Sequence, residues 1–89
     1  MAKIQIDPDQ VESVSGQFST KRGELDALIG QSNNLMKGLQ GAWTGSRATK
    51  TFSEWESLRP NLQAAEETLQ RASELLKAAA ADFRSADTM

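Results

Sequence analysis

The sequence predicts an all-α fold, an antiparallel helical hairpin that dimerises into a four-helix bundle, on three observations. Apolar residues recur at alternating steps of three and four through both halves of the chain. A glycine-dense stretch, LQGAWTGSRAT at residues 39–49, falls at its midpoint. The apolar stripes are also wider than two helices bury against each other, which calls for a second hairpin. At 89 residues the chain holds one domain, residues 1–89.

The first helix is expected over about 8–40. Asp7 is its N-cap, Pro8 suits the first helical position, Asp9 complements the positive end of the helix dipole, and Gln10 stands where a capping-box partner belongs. Ile6 and Val11 fit a hydrophobic staple. Capping accounts for these acids without invoking metal ligands. The seam then runs Val11, Val14, Phe18, Lys21, Leu25, Leu28, Ser32, Leu35 and Leu39, with Ile29 and Met36 widening it on one side. Lys21 and Ser32 are its polar members, and a polar seam residue sets register or reaches solvent more often than it does chemistry. Gly16, Gly23 and Gly30 recur at a heptad interval on the opposite face, either as a close-approach surface for another backbone or, on the simpler reading, as a solvated face.

The turn spans 41–45, where Gly41 and Gly45 supply backbone freedom at a helix exit and entry. The second helix is expected over about 46–84, with Ser46 as N-cap and a short tail at 85–89. Its seam is Trp55, Leu58, Leu62, Ala65, Leu69, Ala72, Leu76, Ala79 and Phe83, extended backwards by Phe52 and Ala48. Alanine at alternate seam positions admits a close neighbour. Pro60 removes one backbone donor and crowds the carbonyl four residues earlier, so a kink is expected near Ser57 and Pro60. A lone hairpin would leave Ile29, Met36, Phe52 and Leu75 wet, which makes pairing part of folding.

Composition excludes several functions. Lysine and arginine number 10 against 12 acidic residues, a net charge of -2 with no basic cluster to meet a phosphate backbone, so no nucleic-acid partner is expected. Cysteine and histidine are absent. That removes thiolate chemistry, the usual general base and the usual nitrogen ligand for zinc, and no cofactor, metal or catalytic residue is expected. The opening MAKIQIDPDQ lacks the apolar core and cleavage site of a secretory signal, and no run of about 18 apolar residues predicts a membrane span. The polar faces are mixed or acidic, which argues against a membrane-surface helix.

Trp43 stands between the turn glycines, a large side chain where the backbone asks for none. It either plugs the open end of the bundle or marks a recognition site. With Thr44 and Gly45 it forms Trp-x-Gly, at the midpoint of a cysteine-free chain of about this length, between two long amphipathic helices. In these respects the whole sequence resembles the WXG100 family, the small proteins exported by bacterial type VII secretion. That resemblance implies a non-enzymatic helical hairpin, paired with itself or with a paralogous Trp-x-Gly protein. It further implies export in the folded dimeric state without a cleaved signal peptide, from a cytoplasmic pool, after recognition by a secretion ATPase of the FtsK/SpoIIIE type. Many members carry an export signal of a tyrosine followed four residues later by an acid. The matching positions here are Phe83 and Asp87, where the aromatic lacks its hydroxyl and also continues the helix seam. Nothing in the seam's charges forbids self-pairing, so a homodimer is expected. The competing reading is a cytosolic adaptor or chaperone-like hairpin that escorts a larger secreted effector.

Overall fold

The structure is a computed structural model that describes residues 6–87, with side chains described through residue 86. Two helices, α1 (Pro8–Gln40) and α2 (Ser46–Asp87), pack lengthwise against each other in a rod of 67 × 22 × 16 Å. Asp7 caps α1 from extended backbone: its Oδ1 accepts from the amides of Asp9 at 3.1 Å and Gln10 at 3.2 Å, with Pro8 in the first turn. α2 continues through Pro60 as one helix. It also runs to Asp87, past the end expected near Arg84. Arg84, Ser85 and Ala86 contain no glycine or proline to stop it, so the expected tail is helical over 85–87, while residues 88 and 89 lie outside the described residues.

The contact between the helices follows a line that the sequence seam matches only in part. Among the described residues Ser15, Ile29, Ala48, Ser73 and Ala80 are buried, joined by half-buried Val11, Phe18, Leu25, Met36, Phe52, Trp55, Leu62 and Leu69. Ile29 is therefore enclosed and Met36 and Phe52 are half-buried, against the expectation that all three would be wet; Leu75 is exposed as expected. The cause is helix geometry. A strict seven-residue repeat drifts about 20° per heptad around a straight α-helix. A seam that begins on the partner helix at Val11 has thus turned well away by Leu35 and Leu39. The observed line through Val11, Ser15, Phe18, Leu25, Ile29 and Met36 keeps to the true helical period of 3.6.

Between the helices two serines interlock. The Ser15 hydroxyl donates to the Ser73 carbonyl at 2.7 Å, the Ser73 hydroxyl donates to the Ser15 carbonyl at 2.9 Å, and the two oxygens lie 3.2 Å apart. Each buried hydroxyl is satisfied, so the polar pair is tolerated in a contact that larger residues would hold open. Toward the turn, Trp55 Nε1 donates to Asn33 Oδ1 at 3.1 Å. At the opposite end Arg84 reaches across to Asp9 and Glu12.

This interface is a single line of contact. Its buried apolar residues are Ile29, Ala48 and Ala80 among the described residues. Leu28, Leu35, Leu39, Leu58 and Leu75 meanwhile stay between 46% and 74% exposed. One hairpin leaves these leucines in water.

Candidate functional site

Three features distinguish this rod from a plain pair of helices: the turn at one end, an open apolar side, and a charged junction at the other end. The turn begins with Gly41 in ordinary right-handed helical backbone, φ -77° and ψ -18°, and the Ala42 amide donates to the Leu39 carbonyl at 3.0 Å. Gly41 therefore needs none of the freedom expected of it. Gly45 does, because its φ of 114° lies where side chains of L-residues are strained. It also takes the cap position expected for Ser46, which is the first residue of α2. The Gly45 carbonyl accepts the first helical bond from the Thr49 amide at 3.0 Å and a second bond from the Thr49 hydroxyl at 3.1 Å. Gly45 thus sets the angle at which α2 leaves the turn.

Trp43 is half-buried. Its ring meets Phe52 edge to face, with centroids 5.7 Å apart and planes at 71°, a pairing that adds about 0.5–1.5 kcal/mol beyond area burial. The indole thus packs on α2 through Phe52 and is only partly covered. Thr44 and Gly45 beside it are exposed.

The seam residues divide into two groups. Val11, Val14, Phe18, Leu25, Phe52, Trp55, Leu62, Leu69 and Leu76 are half-buried, whereas Leu28, Leu35, Leu39 and Leu58 are exposed. At 100° per residue, Val14, Leu28, Leu35 and Leu39 lie about 60–120° to one side of the α1 contact line, and Leu58, Ala65, Ala72, Ala79 and Phe83 lie at the same offset on α2. Antiparallel helices wind in opposite senses about a shared axis, so equal offsets bring both sets to one side of the rod. The result is one side of the rod that carries Leu28, Leu35, Leu39 and Leu58, four of the five exposed large apolar residues, with polar residues between them. Lys21 sits on it, exposed, in an ion pair with Glu24 at 3.1 Å; Ser32 is half-buried. Gly16, Gly23 and Gly30 are exposed away from this face, and a methyl group added at any of them would meet nothing within 4 Å.

At the far end Phe83 is half-buried, and Arg84 forks between Glu12 and Asp9, its two terminal nitrogens each 2.6 Å from a carboxylate oxygen. Asp87 closes the helix, one turn beyond Phe83; its side chain lies outside the described residues. Sequence periodicity missed Ser15, Ser73 and Arg84. The signal for the serines was their small size on the 3.6-residue line, and nothing local pointed to a pairing across 72 residues for Arg84.

Midway along the rod, Glu66 of α2 faces Asp26 and Arg22 of α1. Partial desolvation, a hydrogen bond with Asp26 and the Asp26 charge raise the Glu66 carboxyl above its ordinary 4.5, with Arg22 opposing. Among the described residues no group of three or more acidic, cysteine or histidine side chains is arranged to hold a metal, and no helix is long and apolar enough to cross a membrane.

Comparison with known proteins agrees with this picture. Residues 3–88 match WXG100, described as proteins of 100 residues with WXG. No curated protein matches the sequence. Among solved structures, the chain is similar to the secreted protein ESXB from Bacillus anthracis strain Sterne, at 30% identity and a TM-score of 0.84 over 98% of this chain and 99% of that one. It also has the fold of EsxA from Geobacillus thermodenitrificans, at 20% identity and a TM-score of 0.84 over 99% of this chain and 95% of that one.

Proposed function

Because the chain belongs to the WXG100 family, the small non-enzymatic proteins of bacterial type VII secretion, we propose that it is exported as a folded homodimer whose ends carry a composite recognition signal. The observation that carries this reading is the concentration of Leu28, Leu35, Leu39 and Leu58 on one side of the rod, exposed in a hairpin too thin to bury them. A second copy laid antiparallel on that side covers both sets of leucines and makes a four-helix bundle.

The same arrangement gives Trp43 a role beyond closing the turn. The rod is 67 Å long, with Trp43 at one end and Phe83–Asp87 at the other, so the two cannot meet within one chain. In an antiparallel pair, the turn of one copy lies beside the C-terminal segment of its partner. Trp43, Thr44 and Gly45 of one chain with Phe83 and Asp87 of the other then form one surface at each end of the bundle. Only the assembled dimer presents it to the secretion ATPase of the FtsK/SpoIIIE type. The half-exposed indole, held edge to face on Phe52, and the fixed torsion of Gly45 support this reading, since both hold the turn in one shape.

The test is export measured beside oligomeric state. Trp43→Ala and Asp87→Ala are each expected to remain dimeric by light scattering and to be lost from the culture supernatant. Normal export of folded, dimeric Trp43→Ala protein returns the indole to a purely structural role.

A further inference from the structure

The Arg84 junction ties the start of α1 to the end of α2, and nothing in the pairing of the hairpins requires it. We propose that Arg84 is a positioning residue that holds the last turn of α2 helical and in register, through Asp9 and Glu12, so that the C-terminal segment at 83–87 is displayed in one orientation. The proposal rests on the reading of that segment as half of the export signal.

Its geometry is specific. The guanidinium is planar, and here its two terminal nitrogens engage two different carboxylates of α1, one turn apart, each at 2.6 Å. A fork held at two points fixes rotation about the helix axis as well as distance, which a lysine ammonium held as a point charge does not. The location is equally specific. Among the α2 residues whose side chains are described, Ala80 is the last buried one and Phe83 and Arg84 are the last half-buried ones, with Ser85 and Ala86 exposed. Helix ends fray where tertiary contacts stop. Arg84 supplies a tie between the two helices immediately after Phe83 and one turn before the helix ends at Asp87.

The electrostatics of the backbone reinforce the tie. Arg84 lies in the last turn of α2, where a cation complements the dipole, and Asp9 lies in the first turn of α1, where an anion does. Both opposing helix ends are thus matched by the same pair of side chains. Exposed ion pairs add little to global stability. The consequence of this one is local order at the segment it adjoins.

The experiment combines amide hydrogen exchange with export. Arg84→Gln is expected to stay dimeric with nearly unchanged melting, to speed exchange of the amides at 83–87 by about two- to fivefold, and to be exported poorly. The double variant Asp9→Asn, Glu12→Gln keeps Arg84 but removes its partners, and the same exchange and export defects are expected. Combining all three changes should be no worse than either set, because they break one interaction. If the double variant is exported normally while Arg84→Gln is not, the guanidinium itself is read by the export machinery and the positioning role is overturned. Unchanged exchange at 83–87 in Arg84→Gln overturns it as well. Phe83→Ala separates the layers. Normal export of that variant overturns the signal reading beneath the proposal, whereas its loss of export together with normal export of Arg84→Gln overturns the positioning role alone.

Discussion

Truncating Leu28 to alanine separates folding of the hairpin from pairing of two hairpins. Leu28 lies near the middle of α1 on the apolar face and is 57% exposed in the single hairpin, so it contributes little to the contact with α2. In an antiparallel pair the middle of the rod is where the two-fold axis passes, and both copies of Leu28 are covered together. Full burial of a leucine side chain is worth about 1.5–3 kcal/mol. Scaled to the part still exposed and counted for both copies, the loss on truncation is about 2–3 kcal/mol of dimer, or about 30- to 160-fold in the dissociation constant. A residual cavity adds to this figure. The assay is a dilution series followed by analytical ultracentrifugation, with helicity from circular dichroism on the same samples. The variant should dissociate at a correspondingly higher concentration than the parent and melt in a transition whose midpoint depends more steeply on dilution. An unchanged dissociation constant would refute the assignment of this face to the dimer. So would a parent protein that is a stable folded monomer at micromolar concentration.

Other perturbations bear on the remaining parts of the argument. Leu69→Asp places an unpaired charge on the half-buried contact line and should abolish both the dimer and most helicity, while exposed Glu67→Ala should melt like the parent; equal thermal melts would show the line to be misplaced. Gly45→Ala meets no steric obstacle, since its new methyl has nothing within 4 Å, so its cost should be torsional alone, about 1–3 kcal/mol offset in part by a stiffer unfolded chain. Chemical denaturation reads that difference directly. The raised Glu66 carboxyl means that the folded protein binds more protons than the unfolded chain between the ordinary 4.5 and the raised folded value. The Glu66 contribution to stability therefore falls as pH rises through that window and grows as pH is lowered toward 4.5. Glu66→Gln should flatten this part of the melting profile, and an unaltered profile would remove Glu66 as its source.

Local chemistry made the two helices, their turn and the class of function legible before any coordinates. Asp7 and Pro8 mark a helix start by a mechanism that needs only neighbouring amides, glycines punctuate the midpoint, and Trp43-Thr44-Gly45 carries the family resemblance in three adjacent residues. The stripes also showed that one hairpin has more apolar surface than it can cover, because that is a count of side chains per turn. Which of those side chains face the other helix was decided by tertiary packing. A heptad pattern and a 3.6-residue line share Val11, Phe18 and Leu25 and then diverge, and the sequence carries both. The interlock of Ser15 with Ser73 selects the line on which the backbones approach closely, burying Ile29 and turning Leu28 and Leu35 outward. The torsion that makes Gly45 rather than Gly41 the indispensable glycine depends on where α2 must point, and the junction of Arg84 with Asp9 and Glu12 depends on the register of the whole rod. Capping and periodicity are short-range and can be read along the chain, whereas register and facing are set by contacts between residues some 20 to 75 positions apart and exist only once the hairpin has closed.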